Sequence, residues 1–96
     1  MFTNVQMTGV WYYSPVITNS TPVVKDMTGA PLPCTVTLFV TAGDTLTFEQ
    51  SFDGGLTYVL EATITATQSF VLTSGCSNIR VTRTAGSSTT SYFTVN

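Results

Sequence analysis

The stretch DTLTFEQSFDGGLTYVLEATIT, residues 44–65, decides the fold of this 96-residue chain. Two runs of alternating apolar and polar residues flank the Asp-Gly-Gly at 53–55, and Asp-Gly between such runs is the strongest short-range signal for a β-hairpin. A three-residue loop would place Phe48 opposite Leu60, which keeps one face of the hairpin apolar. A two-residue loop would mix the faces, which a half-buried strand does not tolerate. The sequence therefore predicts a three-residue loop, with Gly55 at positive φ.

The same register predicts the rest of the hairpin. Its further pairs are Phe52 with Leu56, Leu46 with Ala62, Ser51 with Thr57, and Thr47 with Glu61. Each large apolar side chain would contribute roughly 1.5–3 kcal/mol if a second layer covered it. Gln50 falls on the apolar face and requires a bulge or a buried partner. The predicted apolar face consists of Leu46, Phe48, Phe52, Leu56, Tyr58, Leu60 and Ile64.

The composition predicts an all-β protein that associates with other chains. Hydrophobic residues make up 43% of the chain and charged residues only 8%, against roughly 25% charged residues in an average soluble protein. Thr, Ser, Val and Gly fill the difference, and β-branched residues favour strands. A surface with so little charge tends to associate.

Charge and hydropathy exclude several partners. The net charge of −2, with only three basic residues, lacks the basic surface that nucleic-acid binding needs. The first residues lead into no long apolar core, and no run approaches the ~20 apolar residues of a membrane span. We therefore expect synthesis in the cytoplasm, with neither nucleic acid nor membrane as a partner.

Turn signals every 8–12 residues predict an antiparallel β-sandwich of about seven or eight strands, Ig-like or jelly-roll-like, without significant helix. Strands are predicted over 34–41, 68–73, 76–84 and 89–95, besides the hairpin. A first strand over 5–13 is followed by short pieces that contain proline, and proline confines strands to sheet edges or bends. We therefore expect residues 1–33 to be an irregular strand or arm region and residues 34–96 to form the sandwich core of a single domain.

Ser51, Asp53, Gly54, Gly55, Thr57 and Tyr58 match an Asp-box, S-x-D-x-G-x-T followed by an aromatic residue. Asp53 can accept hydrogen bonds from nearby backbone N–H groups and fix the turn, while Ser51 and Thr57 can meet across the ladder and Tyr58 can cap the core. Repeated Asp-boxes occur in sialidase propellers, but one copy in a chain this short argues against a sialidase. The sequence favours a structural turn.

Two cysteines, Cys34 and Cys76, lie near predicted strand ends. Cytoplasmic synthesis keeps thiols reduced, and free cysteine is among the most buried residue types. Buried thiols are favoured over a disulfide, which stays an alternative. Two cysteines without any histidine fit poorly with a zinc site.

The remaining polar residues give no catalytic pattern. Asp44, Glu49, Asp53 and Glu61 could suggest a glycosidase pair or a calcium site, but Glu49 and Glu61 share the outer face of the predicted hairpin, which favours a solvated surface. The chain has no histidine to act as the usual base for a nucleophile, and no phosphate-binding glycine motif. The sequence predicts no catalytic residue, no cofactor and no metal, and therefore a protein that is not an enzyme.

The aromatic residues Trp11, Tyr12 and Tyr13 favour packing or an intersubunit contact over a sugar site, because consecutive residues of a strand point to opposite faces. The segment from Ser14 to Pro33 is the candidate contact surface. The residues predicted to touch a partner are Trp11, Tyr12, Tyr13, Pro15, Pro22, Pro31 and Pro33.

From about Val36 onward the order of features is familiar. A Thr/Val strand is followed by S-F-D-G-G-L-T-Y at 51–58, a short F-V-L-T strand, Ser74-Gly75-Cys76, then Ile79-Arg80-Val81 and a last Thr/Ser strand. This order resembles small all-β virion proteins of tailed bacteriophages. The resemblance implies a β-sandwich accessory protein that coats or stitches the capsid, or a domain of a tail or fibre.

From that resemblance we expect a structural virion protein, foremost a capsid decoration or cement protein that binds the major capsid protein or another virion protein as a homo-oligomer. One alternative is a tail or fibre component with a carbohydrate-binding β-sandwich. Another is a head–tail junction protein.

Overall fold

The computed structural model describes residues 10–18 and 21–96 of the chain. In this part of the chain the secondary structure is eight strands and no helix, which confirms the predicted fold class. The strands form two antiparallel four-stranded sheets, sheet I with the order β1-β8-β3-β6 and sheet II with the order β2-β7-β4-β5. The strands are β1 (Tyr12–Tyr13), β2 (Val23–Asp26), β3 (Cys34–Phe39), β4 (Thr45–Ser51), β5 (Val59–Ile64), β6 (Gln68–Leu72), β7 (Asn78–Ala85) and β8 (Tyr92–Val95).

The core lies between the two sheets. Strand β3 alternates buried and half-buried residues along its whole length, because successive side chains of a strand point to opposite faces. Phe48 of sheet II packs against Phe70 of sheet I, with their ring centroids 5.0 Å apart. The core cluster consists of Ile17, Met27, Cys34, Val36, Leu38, Leu46, Phe48, Ile64, Leu72, Ile79, Val81, Phe93 and Val95.

The central hairpin forms, but the predicted register is wrong. Phe48 pairs with Ala62 and Leu46 with Ile64, so neither has its predicted partner. The connection between β4 and β5 is a longer loop, residues 52–58, in place of the predicted three-residue turn. Hydrogen bonds to the Asp53 carboxylate fix the conformation of this longer loop. Gly55 has the predicted positive φ (92°), and Gly54 has one as well (81°).

A bulge in β5 also contributes to the difference between the predicted and the observed β4–β5 register. The partner of Phe48 is Ala62 but that of Glu49 is Leu60, so Glu61 is the extra residue. The sequence required a bulge or a buried partner near Gln50, and the bulge lies one residue away. Such an extra residue bends the strand and changes which side chains face inward.

The bulge and the longer loop expose much of the predicted apolar face. Leu46, Phe48 and Ile64 are buried as predicted, but Phe52 is 58% exposed, Leu56 85% and Leu60 58%. Three predicted core residues are therefore surface residues.

The described residues of the first third of the chain belong to the sandwich. Strand β1 pairs with β8 and β2 pairs with β7, so this region supplies one edge strand to each sheet. Ile17 is fully buried and Met27 is 7% exposed, and both belong to the core. Of the strand predicted over 5–13, Tyr12 and Tyr13 are in β1, and residues 1–9 lie outside the described residues.

Candidate functional site

The loop at residues 52–58 is organised by the carboxylate of Asp53. The hydroxyl of Ser51 donates to Asp53 Oδ1 (2.8 Å), and that of Thr57 donates to Oδ2 (2.6 Å). The backbone N–H groups of Leu56 and Thr57 donate to Oδ1 at 3.1 and 3.0 Å. Ser51 and Thr57 thus meet at the carboxylate rather than across a strand ladder. One aspartate accepts four hydrogen bonds from residues within four positions of itself.

These hydrogen bonds keep Asp53 ionised. The Thr57 hydroxyl and backbone N–H and the Ser51 hydroxyl stabilise the carboxylate and lower its pKa from 3.8 to about 2. A carboxyl group with this pKa carries no proton to donate near neutral pH. The geometry makes Asp53 a structural acceptor in the turn.

Tyr58, the last residue of the Asp-box, packs against Arg80, which is bound by Glu49. The Arg80 guanidinium lies 4.0 Å from the centroid of the Tyr58 ring. Glu49 accepts from Arg80 Nε at 2.8 Å and from Nη2 at 3.0 Å. This bidentate pair raises the pKa of Arg80, chiefly through the hydrogen bonds with Glu49. Glu49 is therefore not the freely solvated carboxylate that the sequence favours, whereas Glu61 is exposed.

A second aspartate forms a buried cluster at the opposite end of the sandwich. Asp44 is 2% exposed. The Ser91 hydroxyl donates to Asp44 Oδ2 at 2.7 Å, and the Ser88 hydroxyl donates to the same oxygen. Arg83 Nη1 lies 3.6 Å from Asp44 Oδ2 and also donates to the Ser88 carbonyl. Hydrogen bonds from Ser88 and then Ser91 lower the pKa of Asp44, and Arg83 adds to this.

Gly86 is required beside this cluster. Its φ is +106°, and a Cβ at this position would collide with the Asp44 side chain and backbone. Sequence reasoning grouped Asp44 with the surface carboxylates because its hydrogen-bond donors, Ser88 and Ser91, lie 44 and 47 positions away. The serine-rich segment 87–91 is the only feature of the sequence that points to this cluster, and it does not indicate that Asp44 is the acceptor.

Cys34 and Cys76 are free thiols. Cys34 is 2% exposed and Cys76 is half-buried. Burial raises the pKa of both thiols, so neither is activated as a thiolate. A pocket beside Cys76, lined also by Met27, Leu32 and Leu72, has a volume of about 30 Å³, which is room for a single water molecule.

The seven residues predicted to touch a partner do not form one surface. Trp11 and Tyr12 are half-buried, and their rings lie 5.0 and 4.4 Å from Lys25 Nζ. Pro15 follows β1 toward Ser91, at the end of sheet I where β8 begins. Pro31 and Pro33 precede β3 at the opposite end. Tyr13, Pro15, Pro22, Pro31 and Pro33 are exposed.

Exposed apolar side chains instead gather at the end of the sandwich that carries the Asp53 loop. Loop 73–77 joins the parts of this end: the Ser77 hydroxyl accepts from the Gly54 N–H at 2.9 Å, and Leu32 Cδ1 lies 3.7 Å from the Cβ position of Gly75. We call the exposed side chains there the apolar tip. Each is more than half exposed: Leu32, Phe52, Leu56, Val59, Leu60 and Val71.

A scan against protein-family models, a search of curated proteins and a search of solved structures each found no match. Within residues 10–18 and 21–96, no group of three or more His, Cys, Asp or Glu residues could hold a metal ion. The described part of the chain also has no helix long and apolar enough to cross a membrane.

Proposed function

We propose that this chain is a structural protein of a tailed-phage particle, a decoration or cement protein that binds the shell and performs no chemistry. The observation that carries the proposal is the apolar tip, six exposed apolar side chains that lie at one end of the sandwich on the β2–β3 connection, the β4–β5 loop, β5 and β6. Large apolar side chains exposed near one another often mark a binding site. The resemblance of residues 36–96 to small virion proteins is the reason to propose the phage shell as the partner.

The framework of the tip supports a binding role. Residues 52–58 are held by the Asp53 hydrogen bonds, so Leu56 projects from a loop that is ordered before binding. Ordering a loop during association costs affinity, and a pre-organised loop avoids that cost. Binding to the assembled shell then stabilises the shell by mass action.

The tip also changes the choice of contact residues. Removing residues 14–33 would delete β2 together with the buried Ile17 and Met27, so such a deletion would unfold the sandwich. Pro31 and Pro33, which flank Leu32, remain candidate contacts. Point substitutions in the tip are the appropriate variants.

Copy number in purified particles tests the proposal. A cement protein is present at a fixed ratio to the major capsid protein that approaches equality or a simple fraction of it. Quantitative mass spectrometry of washed particles measures this ratio. A small fixed number of copies per particle would instead indicate a head–tail junction, tail or fibre protein, and absence from washed particles would contradict a virion role.

A further inference from the structure

The two sheets differ completely in charge. The chain has three basic and five acidic residues. Asp44 and Asp53 lie in loops, and none of the eight belongs to β1, β3, β6 or β8, the strands of sheet I. All the others are on sheet II, and these are Lys25, Asp26, Glu49, Glu61, Arg80 and Arg83.

The outer face of sheet I combines aromatic rings with hydroxyl groups. Its residues alternate along the strands with the buried Val36, Leu38, Phe93 and Val95. The strand register places Tyr13, Thr94, Thr37 and Ser69 in one row across all four strands, and Phe39 opposite Tyr92. We call this part of the surface the hydroxyl–aromatic face, and it consists of Tyr13, Thr37, Phe39, Ser69, Tyr92 and Thr94. The same outer face continues along β3 and β6 to Thr35 and to Val71, a residue of the apolar tip.

Tyr13 is the most exposed ring on this face, at 64%, and Phe39 and Tyr92 are half-buried. Tyr92 and Phe39 stack with ring centroids 4.7 Å apart and planes 15° apart, which fixes the orientation of the Tyr92 ring. Since Tyr13 pairs with Thr94, Tyr92 is its diagonal neighbour, at about 7–8 Å between Cα atoms. One short ligand can touch both tyrosines.

We propose that the hydroxyl–aromatic face binds a neutral saccharide. The C–H groups of a sugar ring pack on the face of an aromatic side chain, and its hydroxyls exchange hydrogen bonds with tyrosine, serine and threonine hydroxyls. The Thr37 and Ser69 hydroxyls already bond to each other at 2.8 Å, next to the buried Thr94. This proposal does not depend on where in a particle the protein resides.

The charge distribution determines which sugars fit. An acidic sugar needs a cation, but Lys25 lies over the rings of Trp11 and Tyr12, Arg80 is held by Glu49 and Arg83 is 5% exposed. Sheet I has no carboxylate to hold a bridging calcium ion. The face therefore suits an uncharged saccharide bound without metal.

The size of the face favours a sugar over a second copy of the chain. Four strands spaced by about 4.8 Å span roughly 14 Å, and the six residues of β3 extend about 20 Å. This footprint of a few hundred Å² falls short of the roughly 800 Å² per partner in a stable protein interface. A short saccharide needs much less.

Glycan-array screening of the full chain, followed by titration of any hit and of insoluble neutral polysaccharides, tests the proposal. Tyr13→Ala should weaken binding about fivefold to tenfold, as loss of one aromatic contact does. Phe52→Ala is the matched control, because Phe52 is similarly exposed (58%) but lies on the apolar tip. It should bind like the native chain, and a chelator should change nothing.

Three results would overturn the proposal. The first is a failure to bind any neutral glycan. The second is equal loss of binding in Tyr13→Ala and Phe52→Ala, with both variants folded by circular dichroism. The third is a dimer that Tyr13→Ala dissociates in sedimentation while no glycan binds, which would make the face a contact between copies.

Discussion

The two ends of the sandwich each hold an aspartate with hydroxyl groups, but they do so in opposite ways. Asp53 takes its hydrogen bonds from residues within four positions, on an exposed loop. Asp44 takes its bonds from residues 44 and 47 positions away and is buried with Arg83. The first carboxylate shapes one loop, whereas the second ties the β3–β4 connection to the β7–β8 connection.

The difference suggests a division of roles. At the Asp44 end the loops hold each other, with the Thr41 N–H also donating to the Ser91 hydroxyl at 3.0 Å. At the Asp53 end the loop is fixed by its own bonds, so its apolar side chains need not face the core. One end contributes mainly to stability, and the other leaves a pre-formed surface free for a partner.

The largest effect is expected for Asp44→Ala. The substitution leaves the guanidinium of Arg83 buried without its carboxylate, and breaking one side of a buried ion pair is strongly destabilising. We expect the midpoint of thermal unfolding to fall by roughly 10–20 °C. Circular dichroism measures this midpoint. If the midpoint falls less in Asp44→Ala than in Asp53→Ala, the Asp44 end is not the one that contributes more to stability.

The double variant Asp44→Ala/Arg83→Met is the control for this explanation. Arg83 Nε has no hydrogen-bond partner among the described residues, so the buried arginine is already incompletely satisfied. Removing both charges should recover part of the stability lost in the single variant. If the double variant is less stable than Asp44→Ala, the unpaired charge is not the cause of the loss.

A smaller effect is expected for Asp53→Ala. The variant loses four hydrogen bonds, three of them from the exposed residues Leu56 and Thr57, whose donors can bond to water instead; only the fourth donor, the Ser51 hydroxyl, is on a buried residue. We expect the unfolding midpoint to fall by roughly 5 °C. Unchanged stability together with loss of a binding activity would show that Asp53 serves a ligand rather than the turn.

The pH dependence of the stability lost in Asp53→Ala shows whether the ionised carboxylate is its source. Because the pKa of Asp53 is lowered from 3.8 to about 2 in the folded protein, its ionised form stabilises the fold above pH 3.8. This stabilisation disappears as the pH falls toward 2. The difference in midpoint between the native chain and Asp53→Ala should therefore be constant above about pH 5 and shrink below pH 4. Asp44 titrates in both proteins and cancels, so a difference independent of pH would contradict this assignment.

The same contrast explains what the sequence could predict. The alternation in β3, the backbone N–H donors to Asp53 and the positive φ of Gly55 depend on neighbouring residues, and sequence reasoning found all three, although it placed the Ser51 and Thr57 hydroxyls across a ladder instead of on the carboxylate. The Asp44 cluster depends on contacts between distant segments, which no local pattern reports. The β4–β5 register failed because the local bonds of Asp53 lengthen the loop and Glu61 forms a bulge, so Leu60 and Leu56 turn outward.

The apolar tip gives the smallest expected effect on stability and the most direct test of the central claim, that this end binds the shell. Leu56 is 85% exposed, so Leu56→Asp should shift the free energy of unfolding by no more than about 0.5 kcal/mol. Val16→Asp is the matched control, since Val16 is 45% exposed near the opposite end. The deciding measurement is occupancy of purified particles that lack the protein after addition of each variant. We expect Val16→Asp to bind like the native chain and Leu56→Asp to be largely lost; full occupancy by Leu56→Asp would contradict the claim.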